Sequence, residues 1–139
     1  MGEIRATAEL FNYVEGERAA EGAVPQDTVA RVSLDMLVDT GSVMVLLPQE
    51  VIERLRLRHW EKHVAVLADD RKVSLRRFHG LGLKVCGRMG LFECLEGPPN
   101  CEAFLGQVVL EVLDLIPDPV KKALTVRPES PFIPVVKLK

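Results

Sequence analysis

The chain has 139 residues, 47% of them hydrophobic and 27% charged, with a formal net charge of −2. That length holds one domain with a real core and not two, and the charge balance excludes both a disordered chain and a basic nucleic-acid-binding surface. "MGEIRATAEL" carries charges and no apolar h-region, no apolar run reaches membrane-span length, and Ala6 stands where a myristoylation motif has Ser or Thr. A cytoplasmic protein with no membrane and no nucleic-acid partner is expected.

In chain order the first patterns are β. "EIRATAELFNYV" alternates and predicts a long strand, "EGERAAEGAVPQD" is polar with Gly and Pro and predicts a surface excursion, and "TVARVSLDMLVD" predicts a second strand. "SVMVLLP" predicts a third. "PQEVIERLRL" predicts a helix, because Pro48 suits a first turn, acids precede arginines, and Val51, Ile52 and Leu55 share a face. "VAVLADDRKVSLRRF" predicts a hairpin whose arms meet at Asp69, Asp70, Arg71 and Lys72. More strands are expected at "LGLKVCG", "MGLFECLEG" and "KALTVRP". "GQVVLEVLDL" predicts a second helix, with Val108, Val109, Val112 and Leu113 at helical spacing and a stop at "IPDP".

Ligand-type clusters are sparse. Cys86, Cys94 and Cys101 include no C-x-x-C pair and read as reduced, mostly buried thiols, although "CLEGPPNC" is long enough for a Cys94–Cys101 bridge. His59 and His63 have the spacing of two helical metal ligands, but they run into the strand-like "HVAVLA" with no third ligand, so a surface pair and no metal are expected. Asp69 and Asp70 are neighbours on a strand-like hairpin and point to opposite faces, which fits a charged turn better than an acid/base pair.

"MLVDTGSVMVLLP" is different in kind. It sets Asp39 and Gly41 between two apolar runs, where an isolated carboxylate is costly to bury. Asp-Thr-Gly-Ser at Asp39 to Ser42, preceded by "MLV" and followed by an apolar strand, resembles the active-site turn of the aspartic proteases. "AFLGQVVLEVLDL", in which Phe104, Leu105 and Gly106 lead into a helix, resembles their second signature. The two segments flank the predicted hairpin as in the single-domain retroviral-type enzymes, the retropepsins, and the order matches over roughly residues 29–126. The extended segment before Val29 and the tail after "RPESP" resemble small bacterial and archaeal members.

The resemblance implies a mainly β fold: a closed retropepsin-like (acid protease) β-barrel with one or two short helices. A single domain over residues 1–139 is expected, with its core at about 29–126, an N-terminal strand extension and a C-terminal tail. Because Asp-Thr-Gly occurs once, a two-fold homodimer is implied, bringing Asp39 to its twin. The family pattern gives catalytic roles to Asp39, Thr40 and Gly41, and substrate contacts to Ser42, Leu67, Ala68, Asp69, Asp70, Phe104, Leu105 and Gly106. It implies no cofactor, and a peptide or protein as substrate. Chemistry accounts for the residue types, since two carboxylates a few ångströms apart share one proton, and such a pair can deprotonate a water while protonating the scissile carbonyl. The hairpin tip departs from the family, whose flaps carry glycines. An aspartic-type endopeptidase is the expectation, a retropepsin-like dimer that binds or assembles without hydrolysis is the alternative, and an unrelated β protein with a chance Asp-Thr-Gly is the third reading.

Overall fold

Alternation decides which strands form and which face each buries. The computed structural model describes residues 3–138, with the backbone alone at Trp60 and His63. Strand β1 (Arg5–Asn12) buries Ala8, Leu10 and Asn12 and exposes Thr7 and Glu9, the period of a sheet with one face in a core. Strand β2 (Arg31–Val38) pairs with it antiparallel, Leu10 opposite Val32 and Arg5 opposite Leu37, and turns Val32 and Met36 inward.

Between these strands, where a polar excursion was expected, residues Tyr13–Ala20 form helix α1. Tyr13 and Val14 leave the predicted strand because Asn12 starts the helix: its side chain accepts from the Glu15 N–H. The Asn12 amide also donates to the carbonyls of Leu55 and Arg56, so one buried side chain serves two helix ends. Hydrophobic periodicity could not reveal α1, which buries no residue.

Strand β3 (Val45–Pro48) runs into helix α2 (Gln49–Leu55), which buries Val51, Ile52 and Leu55 as predicted, with Pro48 at the cap position. Strands β4 (Arg58–Val66) and β5 (Lys72–Val85) make the expected hairpin, and β5 unites two predicted strands in 14 residues. Cys86 and Gly87, both at positive φ, form the two-residue turn into β6 (Arg88–Gly97), matching the twist of the strands. Then come β7 (Phe104–Leu105), helix α3 (Gln107–Leu113), β8 (Leu115–Asp118) and β9 (Ala123–Val126). Helix α3 ends before "IPDP" as expected, and the segment continues as edge strand β8, where a proline is tolerated.

The strands run β4-β5-β6-β3-β7-β2-β1-β9-β8, and an antiparallel β1–β5 pairing closes six of them into a ring. One buried cluster contains Leu10, Met36, Val45, Leu47, Leu81, Leu83, Leu105 and Val109, all essentially inaccessible. The protein is thus mainly β, with three short α-helices among the described residues rather than one or two. Helix α3 buries Val109, Leu110 and Leu113 and exposes Val112, a rotation from the expected face imposed by main-chain bonds at its first residues. The cysteines are free: Cys94 buried, Cys101 partly so, and Cys86 exposed rather than buried. His59 is an exposed strand residue, its ring centroid 5.6 Å from that of Phe78; the side chain of His63 lies outside the described residues. No group of three metal-ligating side chains occurs among the described residues, and no helix is long and apolar enough to cross a membrane.

Candidate active site

Residues 39–44 leave β2, cross the end of β7 and return as β3 on its other side. Parallel pairing sets Leu37 beside Phe104 and Val38 beside Leu105, and antiparallel pairing sets Leu46 beside Phe104. Main-chain bonds lock the crossing: Asp39 N–H to the Leu105 carbonyl at 2.9 Å, Gln107 N–H to Ser42 at 2.7 Å, and Val108 N–H to Val43 at 2.9 Å. The first amides of α3, which have no partner within the helix, are thereby satisfied by the turn. Gly106 is needed where the segments cross, since a Cβ there would collide with the Met44 carbonyl and sit 2.6 Å from the Val43 carbonyl carbon.

Within the turn, each oxygen of the Asp39 carboxylate has one neutral donor. The Gly41 N–H reaches Oδ1 at 3.0 Å and the Ser42 hydroxyl reaches Oδ2 at 2.9 Å. Asp39 is half-buried, Thr40 and Gly41 are exposed, and Val43 is 71% exposed. Asp39 meets no cation, and the Thr40 hydroxyl no hydrogen-bond partner, among the described residues. Gly41 does not adopt the left-handed backbone; a Cβ on it would stand 3.4 Å from Oδ1, an ordinary contact, so its smallness leaves space beside the carboxylate rather than enabling the bend.

Phe104, Leu105 and Gly106 are therefore brought to the Asp39 turn, but only Phe104 is partly accessible. Leu105 is fully buried and Gly106 backs onto the crossing chain, so the expected substrate contacts of these two are corrected: they build the floor from beneath. Leu67, Ala68, Asp69 and Asp70 sit at the tip of the β4–β5 hairpin, and no hydrogen bond among the described residues joins that tip to residues 39–42. The tip closes without glycine. The Leu67 N–H donates to the Arg71 carbonyl, the Arg71 guanidinium bonds Asp69 at 2.7 Å, and Asp70 takes the left-handed conformation at φ 67°, which aspartate tolerates better than most residues.

A charged cluster flanks the turn. Arg5, opposite Leu37, bonds Asp35 at 2.7 Å and holds both oxygens of Glu102 at 3.1 Å. Glu102 raises the Arg5 guanidinium, with Asp35 adding to it, and Arg5 in turn holds Glu102 below the usual carboxylate range. Local sequence carries no signal for a contact spanning 97 residues.

A second aspartate carries no motif in the sequence. Asp114, just past α3, is buried and accepts from the Ser130 hydroxyl, from Arg127 at 2.8 Å and from the Val135 N–H at 3.0 Å. The Ser130 hydroxyl, the Val135 amide and Arg127 together hold its carboxyl down at about 2. Buried Arg88 donates to the carbonyls of Leu113, Asp114 and Ser130. These bonds tie down the root of a C-terminal tail whose Phe132, Ile133, Val135, Val136 and Leu138 are all exposed. Compared with known proteins, the chain matches no family model and no curated sequence.

Proposed function

We propose that this protein is a homodimeric aspartic peptidase of the retropepsin kind, hydrolysing peptide bonds with a water activated between the Asp39 carboxylates of two subunits, with the cytoplasm as its expected compartment. The observation that supports this best is the carboxylate itself: it is fixed by neutral donors, free of any cation among the described residues, and carried on an exposed turn. A carboxylate so held keeps lone pairs for a second carboxyl group and a water. In a two-fold dimer the two turns meet and retain one proton between them. Water adds to the scissile carbonyl as one carboxylate takes its proton and the other carboxyl protonates the carbonyl oxygen; the tetrahedral diol then collapses, the C–N bond breaks, and the amine leaves protonated.

Thr40 offers its hydroxyl across the dimer axis, and the exposed apolar tail offers surface that a second subunit would cover. Substrate would lie as an added strand between the turns and the two hairpins. Light scattering at micromolar concentration is expected to give a dimer, and a mixed peptide library to be cleaved by the wild type but not by Asp39→Asn. A monomer at high concentration, or equal cleavage by the variant, refutes the reading.

The hairpin tip favours the second reading, a dimer that binds peptides without cleaving them. The Asp69–Arg71 clamp and the lack of glycine oppose the opening and closing of a lid. Saturable peptide binding without products in the same assay identifies it.

A further inference from the structure

Of the eleven arginines, Arg5, Arg56, Arg71, Arg76, Arg77 and Arg127 each meet a carboxylate, and Arg88 is spent on carbonyls. Arg18, Arg31, Arg54 and Arg58 have no such partner among the described residues, and two of them, Arg18 and Arg58, come together at one place. With Arg56 they line a hollow of about 140 Å³ between α1, the end of α2 and the root of the β4–β5 hairpin.

The hollow has one acidic lining residue among those described, Glu15, and its charge is already used. Both its oxygens bond Arg56, at 2.8 and 2.9 Å, and one also accepts the Ala30 N–H. Three guanidinium groups against one carboxylate leave a local charge of +2, three minus one, in a chain whose net charge is −2. Arg56 is held in advance: its backbone is left-handed at φ 54°, its carbonyl accepts from Asn12, and its guanidinium also bonds the Thr28 carbonyl. The strands are reshaped at the same spot. Arg58 pairs with His79, the β4–β5 register slips just beyond, between His59 and Lys62, and the β5–β6 register slips between Phe78 and Leu81, where Gly80 has φ +83°. Such irregularities re-aim side chains.

We propose that this hollow binds a small tetrahedral oxyanion, phosphate or the phosphate group of a small monoester, gripped by Arg18 and Arg58 with Arg56 fixed behind them. Guanidinium forks match phosphate oxygens two at a time, and a preset Arg56 reduces the ordering that binding requires. A hollow of about 140 Å³ has space for one such group.

The test is inorganic phosphate titrated into the purified protein at constant ionic strength, read by calorimetry and by thermal denaturation. One equivalent is expected to bind and raise Tm above a chloride control. Arg18→Gln and Arg58→Gln, both on exposed side chains, are each expected to weaken binding about tenfold with an unchanged circular dichroism spectrum, and Arg54→Gln, a cation elsewhere on α2, to leave it as it was. Tighter binding of methyl phosphate than of phosphate identifies an ester as the natural source; the reverse order identifies the free ion. Absence of binding above chloride for both anions, or binding untouched by the Arg18 and Arg58 substitutions, overturns the proposal. None of these readouts depends on Asp39 or on a dimer.

Discussion

Asp39 and Asp114 both follow apolar residues, in "MLVD" and "VLD", yet the chain treats them in opposite ways. Around Asp114 it assembles a hydroxyl, a main-chain amide and a guanidinium, buries the group and holds its carboxyl at about 2. Around Asp39 it places only the Gly41 amide and the Ser42 hydroxyl, both local and both neutral, and leaves the turn at the surface. A carboxylate whose lone pairs are filled from all sides fastens one segment to another. One held from a single side, with its free face outward, is available to something outside the chain. Packing distinguishes the two roles where sequence context alone does not.

The sharpest way to break the contrast is to neutralise each group in turn. On the proposed peptidase function, Asp39→Asn is expected to lower peptide cleavage by roughly 10⁴-fold or more while Tm stays within a few degrees of the wild type. Asp114→Ala is expected to lower Tm by roughly 10 °C, because Arg127, Ser130 and the Val135 amide lose their common acceptor. If Asp39→Asn unfolds the protein while Asp114→Ala leaves Tm unchanged, the roles assigned here are reversed.

Acid sharpens the same comparison. The Asp114 carboxyl is lowered in the folded chain from an ordinary value of 3.8 to about 2, so the unfolded chain takes up this proton first. The stability it contributes is therefore complete above about pH 4 and is lost as pH falls towards 2. Denaturation midpoints measured from pH 6 to pH 2 are expected to fall less steeply for Asp114→Asn than for the wild type, and parallel slopes would remove Asp114 from the acid response.

Gly106 supports the Asp39 side of the comparison from below. Gly106→Ala puts a methyl group into the carbonyls of Val43 and Met44, and overpacking against main chain is expected to cost about 2 kcal/mol or more. The larger consequence is displacement of the Asp39 turn, seen as lost cleavage in whatever fraction stays folded. Full activity with unchanged stability would show that the crossing is looser than these contacts imply.

How much of this was legible in the sequence follows the range of the contacts. The turn at Asp39 to Ser42 closes within four residues, and the buried face of α2 repeats within one helix, so both could be read directly. The hairpin was readable from its two arms and charged tip. Helix α1 was not, because it is fixed by Asn12 reaching carbonyls 43 residues away and not by an apolar face of its own. Likewise the face of α3 is set by bonds from Gln107 and Val108 to residues 42 and 43, which rotate Val112 outward whatever its hydrophobicity. The same bonds and the β7 pairing turn Leu105 inward, away from any ligand. The arginine hollow and the Asp114 anchorage unite residues from distant segments, and spacing gives no hint of either.

The smallest expected effect tests the finest feature of the Asp39 turn, the Ser42 hydroxyl at 2.9 Å from Oδ2. Ser42 is only partly buried, so Ser42→Ala is expected to cost no more than about 1 kcal/mol of stability. For the proposed hydrolysis the loss is local: Oδ2 is left without this donor while the Gly41 N–H still holds Oδ1 and keeps the turn in place. Peptide cleavage by Ser42→Ala is therefore expected to fall by roughly fivefold, with the circular dichroism spectrum unchanged. Cleavage equal to that of the wild type would show that the hydroxyl only shapes the turn, as Ser130 helps to shape the tail at Asp114, and the line drawn between the two aspartates would then be fainter at this one contact.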